Sequence, residues 1–548
     1  MIMLLSKYDA VLNEHLNTII SKSENNHLKG SKGRGNFVTF LSHYSIDSIT
    51  STISLVIKQI ISEQISTAGM FSVLIDTTQD VSVMDQCSII VRYVFNGKIN
   101  EKLIGVKCCT ESTGKGMMEL LQSAMNEVNI DTSKCIGNAT DGAANMQGAY
   151  NGFTSWLSRV APEQIHVWCF SHILNLVICD ATKNPVMVGN FFSLINGCAV
   201  FFKESYKRMN IWRNISENNN ENIRHKRLQQ IGDTRWTSKQ TALNRIFGMC
   251  GMYDEAMYPD LIIALSKICS KESFTPDIRT KASNLLKALL KYETILIAHI
   301  FMKIFSITGP LSRYLQTSGL DILKCIQMVE VSLNELRKSQ RSMELTKNMC
   351  IEFISKMNDT ISTRINESNE DLEIEEIQSQ FEVKRISRKK KIAIYEAADD
   401  TILNVEKKFT VDVYNRKSVD DEYTEELYIN SDTENEDEDI SKPCKTCKNC
   451  SICCYNALIK YNLYSNAYPT LSIAYQYLLT LPVTQVACER SFSTLKYLKN
   501  RLRNSMTTEH LESFMLMAIE KQILYSLDND MIINKVGEKS KLLSKLLS

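Results

Sequence analysis

Between Phe71 and Thr110 the apolar residues stop recurring every third or fourth position. They gather instead into three short blocks rich in β-branched and aromatic side chains. The blocks are FSVLID (71–76), CSIIVRYVF (87–95) and EKLIGVKCCT (101–110), with the turn residues Gly97 and Lys98 before the third. Three such runs joined by short turns predict an antiparallel meander.

The next sixty residues narrow the fold further. Gly114 to Val128 has a helical period, SKCIGNAT (133–140) is a fourth strand and Asn145 to Val160 is helical again. HVWCF (166–170) is a fifth strand that runs into the helical HILNLVICDAT. Three strands, helix, strand, helix, strand is the order of an RNase-H-like α/β core. Residues 1–70 are helical on both sides of a Gly-rich basic loop, KGSKGRGN (29–36). From about 240 to 420 the period is helical throughout, most clearly in TKASNLLKALLKYETILIAHIFMKIF. The expected layout is therefore an N-terminal helical region (1–70) and a first part of the core (71–240), then an all-α insertion (241–420). An acidic, Cys-rich segment (421–465) and a helical C-terminal region (466–548) that closes the core complete it.

With 44% apolar and 23% charged residues, the 548-residue chain can bury sizeable cores. Uninterrupted apolar runs stay short of the ~18 residues a membrane span needs. The best candidate, Ile295 to Ile307, is interrupted by His299 and Lys303, so no membrane partner is expected. The start, MIMLLSKYDAVLNEH, lacks the longer apolar stretch of a signal peptide. The expectation is a soluble intracellular chain whose 17 Cys are reduced, and many of them stand singly in apolar segments. The net charge of +1 hides a segregation, because Asp421 to Asp439 holds ten acidic residues and no basic one. The remainder is mildly basic, as a nucleic-acid partner requires. The runs RHKR (224–227) and KRISRKKK (384–391) suit phosphate contact, nuclear import or plain solvation equally.

Two aspartates stand where chemistry is easiest to build. Asp76 ends the first strand in LIDTTQD, and Asp141 follows the fourth in CIGNATDGAAN. Carboxylates at the ends of adjacent strands converge at one sheet edge and supply the oxygen ligands that hard divalent cations need. The plainer reading makes each a turn former or helix cap. Arg235 and Trp236 read either as phosphate and base contacts or as a core Trp with an Arg over it. Cys169 and His172 form a Cys-x-x-His pair at a strand–helix junction, where structural support, strand contact and metal binding all remain open. Cys444, Cys447, Cys450 and Cys453 are spaced too tightly for a zinc ribbon and read as a run without bound metal.

The segment LPVTQVACERSFSTLKYLKNRLRNSMTTEHLESFMLM (481–517) resembles the C-terminal dimerisation region of hAT-superfamily transposases. The matching residues are Cys488, Glu489, Arg490, Phe492 and Ser493, then Lys499, Asn500, Arg501, Leu502 and Arg503. Four more elements resemble the family's zinc finger MYM-type and TTF-type branch. They are FSVLIDTTQDVSVMDQCSIIVRYV, NATDGAANMQGAYNGF, HVWCFSHILNLV and DTRWTS. The resemblance implies a DDE triad of Asp76, Asp141 and Glu489 holding two Mg2+ or Mn2+ ions for cleavage and strand transfer, with a hairpin formed on flanking DNA. It further implies DNA contacts through Arg235, Trp236, Cys169, His172, Arg490, Lys499, Arg501 and Arg503, a nuclear location, and a homodimer held by the C-terminal helices. The family's enzymes carry an N-terminal zinc finger, but no Cys precedes Cys87, and His15, His27 and His43 do not make a ligand set. End recognition is thus expected to be lost or encoded outside this chain, which raises the alternative of a catalytically inactive nuclear regulator.

Overall fold

The first apolar run does not alternate because both of its faces are covered. Val73, Leu74 and Ile75 are all fully buried, and successive residues of a strand point to opposite faces. This computed structural model describes residues 10–30, 43–183, 186–217, 227–232, 236–340, 343–368, 372, 374–380, 450–465, 467–500 and 504–538. The run becomes β1 (Phe71–Gln79), the central strand of a five-stranded mixed sheet ordered β3-β2-β1-β4-β5. β2 (Asp85–Phe95) and β3 (Lys98–Cys108) continue from β1 as the expected antiparallel meander. β4 (Cys135–Thr140) and β5 (Ile165–Trp168) lie parallel to β1 on its other side.

The β1–β2 turn is tight and strained. The Asp80 carboxylate accepts from the Ser82 and Met84 N–H groups (2.7 and 3.3 Å), from the Gln86 amide (2.9 Å) and from Lys499 Nζ (2.6 Å). Held this way, Val83 adopts φ +61°, a left-handed conformation that costs a β-branched residue about 1–2 kcal/mol. Burial alone would raise the Asp80 carboxyl, but Lys499 and the turn donors hold it below the ordinary carboxylate value.

Helical periodicity failed in one place near the site. Asn145 to Val160 is two helices, Ala144–Gln147 and Phe153–Val160. The chain folds back between them so tightly that a Cβ on Gly152 would lie 2.4 Å from the Gly148 nitrogen.

β3 is an edge strand, and its open side is sealed from far along the chain. Glu520 accepts from the Leu103 N–H (2.9 Å) and pairs with Lys102 (2.8 Å). Glu512, on the helix Thr508–Ile519, accepts from the Val106 N–H (3.1 Å) and pairs with Lys58 (2.9 Å) and Lys107 (3.2 Å). Glu127 closes the ring by bonding both lysines. These carboxylates satisfy donors that would otherwise invite another strand. The same helix packs on the helix His43–Ala68, and its Leu511, Met515 and Leu516 lie buried in one core with the sheet. Much of the apolar surface of the C-terminal helices is therefore covered within the chain, Val486, Leu495 and Leu511 included.

The described helices from Phe170–Lys183 to Met343–Ser368 form a second core around Tyr292–Leu315, which is buried on almost every side. By length and composition, Val186–Lys203 and Tyr292–Leu315 are both apolar enough to cross a membrane. Counting uninterrupted apolar residues missed them, because Lys303 and His299 break the second without making it polar. Neighbouring helices take up most of Tyr292–Leu315 and less than half of Val186–Lys203. Arg92 ties the two cores together. Its buried guanidinium donates to Leu479 O (2.9 Å), to Leu320 O and to Glu101 (2.8 Å).

Replacing Glu520, only 2% exposed, by Ala strands the Leu103 N–H and the Lys102 ammonium. The expected cost is about 3 kcal/mol, read as a lower urea midpoint. An unchanged midpoint would show that the edge seal adds no stability.

Candidate active site at the carboxylate end of the sheet

Register brings the two aspartates together. Leu74 of β1 pairs with Ala139 of β4, the last pair of this parallel ladder, and Asp76 and Asp141 each follow that pair by two residues at the same end of the sheet. The Thr77 N–H donates to the Asp76 carboxylate at 2.9 Å. The Asp141 carboxylate accepts from the Ala143 N–H at 3.2 Å, which aims it at the turn after β4.

The third carboxylate arrives on the helix Val486–Leu498. On its other side, Asp76 is paired with Ser88 of β2. Ser491 donates to the Ser88 hydroxyl at 2.8 Å, and the Cys488 thiol reaches the Ser88 carbonyl at 3.8 Å. Glu489, between Cys488 and Ser491, is thereby held beside the strand that carries Asp76. A second tie fixes the approach to this helix. Cys169 Sγ accepts from the Gln485 N–H (3.4 Å), and the Phe170 N–H donates to Val483 O (3.2 Å).

The electrostatics report the convergence. Burial, opposed by the Thr77 N–H and reinforced by the negative charges of Asp141 and Glu489, pushes the Asp76 carboxyl up to about 7. Among the described residues, no Lys or Arg pairs with Asp76 or Asp141. Carboxylate oxygens such as those of Asp76 and Asp141 are the donor chemistry that hard divalent ions select. Among the described residues, however, no three His, Cys, Asp or Glu side chains form a preformed ion cage. The three are electrostatic neighbours that side-chain rotation must still draw in.

The other residues singled out in the sequence fall partly in the interior and partly at the surface. Trp236 is a core residue, 2% exposed, packed on Phe305 (ring centroids 5.2 Å apart), and its backbone N–H donates to Asn175 Oδ1 (3.1 Å). Lys499 is buried against Asp80 and offers no free charge to a phosphate. Arg490 reaches Glu101 (3.1 Å) and Gln316 O (3.2 Å), so it joins the Arg92 hub between the cores. Cys169 is fully buried and its thiol is pushed up to about 12 by burial, which makes it a staple behind the site and not a DNA-facing group. His172 is half-buried in the first turn of the helix Phe170–Lys183. Cys450 stands at the N-cap of the helix Ser451–Lys460, with Cys453 in its first turn. Arg235, Arg501, Arg503, Cys444 and Cys447 lie outside the described residues, as do the acidic stretch 421–439 and the run 384–391. Sequence reading passed over Ser88, Ser491 and Asp80. Ser491 had a signal, since it lies within CERSFS; Ser88 and Asp80 declare themselves only through partners some 400 residues away.

A five-stranded mixed sheet in this order is compatible with an RNase-like domain. In keeping with it, residues 14–152 match the RNase-like domain of ZMYM1/FAM200. Residues 445–523 match the hAT family C-terminal dimerisation region. Both stretches are thus similar to domains of hAT-type, transposase-derived proteins. The first matched stretch holds Asp76 and Asp141, the second holds Glu489, and the second supports homodimer formation.

Because the folded Asp76 carboxyl lies above its ordinary 3.8, its protonated form favours the fold. That contribution is complete below pH 3.8 and is lost as pH rises towards 7. In metal-free protein, Asp76→Asn is therefore expected to gain stability over wild type between pH 4 and pH 8. The gain should reach about 2–4 kcal/mol by denaturant titration. A pH-independent difference would mean that the buried setting of Asp76 does not raise its carboxyl.

Proposed function

We propose that this chain is a DDE-type, metal-dependent DNA strand-cleaving and strand-transferring protein acting in the nucleus, with Asp76, Asp141 and Glu489 as its ligand set. On this reading its RNase-H-like core is split between the second and third carboxylates by the helical segment that forms the second core. The observation that carries the proposal is the threefold placement. Register sets Asp141 beside Asp76, and the Ser491–Ser88 bond sets Glu489 beside the same strand.

Two divalent ions, Mg2+ or Mn2+, when bound there supply a water of lowered pKa and a clamp on the attacking and leaving oxygens of a phosphodiester. The chain's own residues prepare for this. β1 and β4 fix the two aspartates on a rigid sheet, and the half-buried position of Asp76 keeps competing water down. Cys488 and Ser491 set the rotation of the glutamate helix. A second reading, a binding scaffold without catalysis, draws on one observation. The carboxylates form no preformed cage, and Lys499 and Trp236 are committed to the interior.

The deciding experiment is nicking of DNA carrying the element's own flanking repeats, with Mn2+ or Mg2+. Wild type should nick, and Asp141→Asn and Glu489→Gln should each lose at least about 100-fold. Mn2+ should also raise the Tm of wild type and not that of Asp76→Asn. Nicking that survives Asp141→Asn removes the assignment; wild type that neither nicks nor responds to Mn2+ favours the scaffold.

A further inference from the structure

The turn between β1 and β2 is built against local preference. Val81, Val83 and Met84 expose 48%, 74% and 45% of their surface at a single tip, although β2 is buried up to the turn. Val83 sits at φ +61°, where Gly or Asn would sit without strain. The strain is held in place by the four donors on Asp80, buried Lys499 among them, and by the Ser82 hydroxyl on Asn504 O (3.3 Å). A rigid, outward-facing apolar tip results, and strain kept in this way points to use.

Its position indicates the occupant. β1 runs parallel to β4, so the tip leaves the sheet from the end at which Asp141 stands. At about 3.3 Å per residue, Val81 lies roughly 15 Å beyond Asp76 along the strand. A duplex laid across the carboxylates meets the tip within about half a helical turn. A second protein chain is the poorer fit. Three side chains fall far short of the ~800 Å² that each partner of a stable interface buries, yet they match the size of apolar wedges that part base steps.

We propose that the β1–β2 tip is a DNA wedge, in which Val83, flanked by Val81 and Met84, packs against base faces and holds the strand near the carboxylates unstacked. This rests on the DNA-cleaving reading above, and it supplies the base contact that buried Trp236 does not.

The test uses the full chain and two DNA probes, a forked duplex with 2-aminopurine at its last paired position and the same duplex without the fork. Two variants are compared with wild type. Val83→Gly keeps the left-handed turn without its strain, so its Tm should hold or rise; the second variant adds Val81→Ser and Met84→Ser. Wild type should raise 2-aminopurine fluorescence on the fork. The triple variant should lose that rise and bind the fork about ten-fold more weakly, with affinity for the plain duplex within about two-fold. A full fluorescence response in the triple variant overturns the wedge and leaves DNA binding standing. Wild type that binds neither probe at low salt removes both ideas. A triple variant that alters self-association by light scattering, with its DNA response intact, makes the tip a contact between chains and overturns the proposal.

Discussion

The parallel pairing of β1 with β4 is the constraint on which everything else depends. Parallel neighbours cannot be joined by a hairpin, so the chain must cross over before β4. It does so through β2, β3 and the helix Gly114–Glu127. The register Leu74 to Ala139 then sets two like charges side by side at the sheet edge. Moving the register by one residue would turn one aspartate to the opposite face. The sheet thus holds two carboxylates at one end of neighbouring strands, an electrostatically unfavourable arrangement of the kind found where stability is given up for function.

The third carboxylate obeys a different logic. It belongs to a helix that no strand connection positions, so side-chain bonds do the placing. Ser491 and Cys488 both address Ser88, the residue across from Asp76, and Cys169 grips the segment leading into the helix. The Arg92–Glu101–Arg490 group lies on the same helix's outer side and reaches the helical core through Gln316 and Leu320. Movement between the two cores would therefore be felt one residue from Glu489.

Strand order and the placing of two aspartates after the ends of strands were legible in the sequence because they are local. Each strand announced itself by composition, and Asp76 and Asp141 sit in short motifs at strand ends. The break at Gly148–Gly152 was hidden because an amphipathic period can continue through a tight fold-back. Trp236 misled because its neighbours in DTRWTS are polar, whereas its burial is decided by Asn175, 61 residues away, and by Phe305. Lys499 misled in the same way. Within a basic segment it looks solvated, but its partner Asp80 stands 419 residues earlier. A charge or an indole has no fixed environment until the distant chain arrives, and pattern reading has no access to that partner.

The seal on β3 bears on how such a chain is made. The carboxylates that cover the Val106 and Leu103 N–H groups are 406 and 417 residues downstream. During synthesis the five strands leave the ribosome long before Glu512 and Glu520 do, so the nascent sheet waits with an unguarded border. For that interval it is open to chaperones, to a neighbouring nascent chain or to misassembly. Translation that stops before the last helices would release a protein with its nucleating strands intact and its border bare.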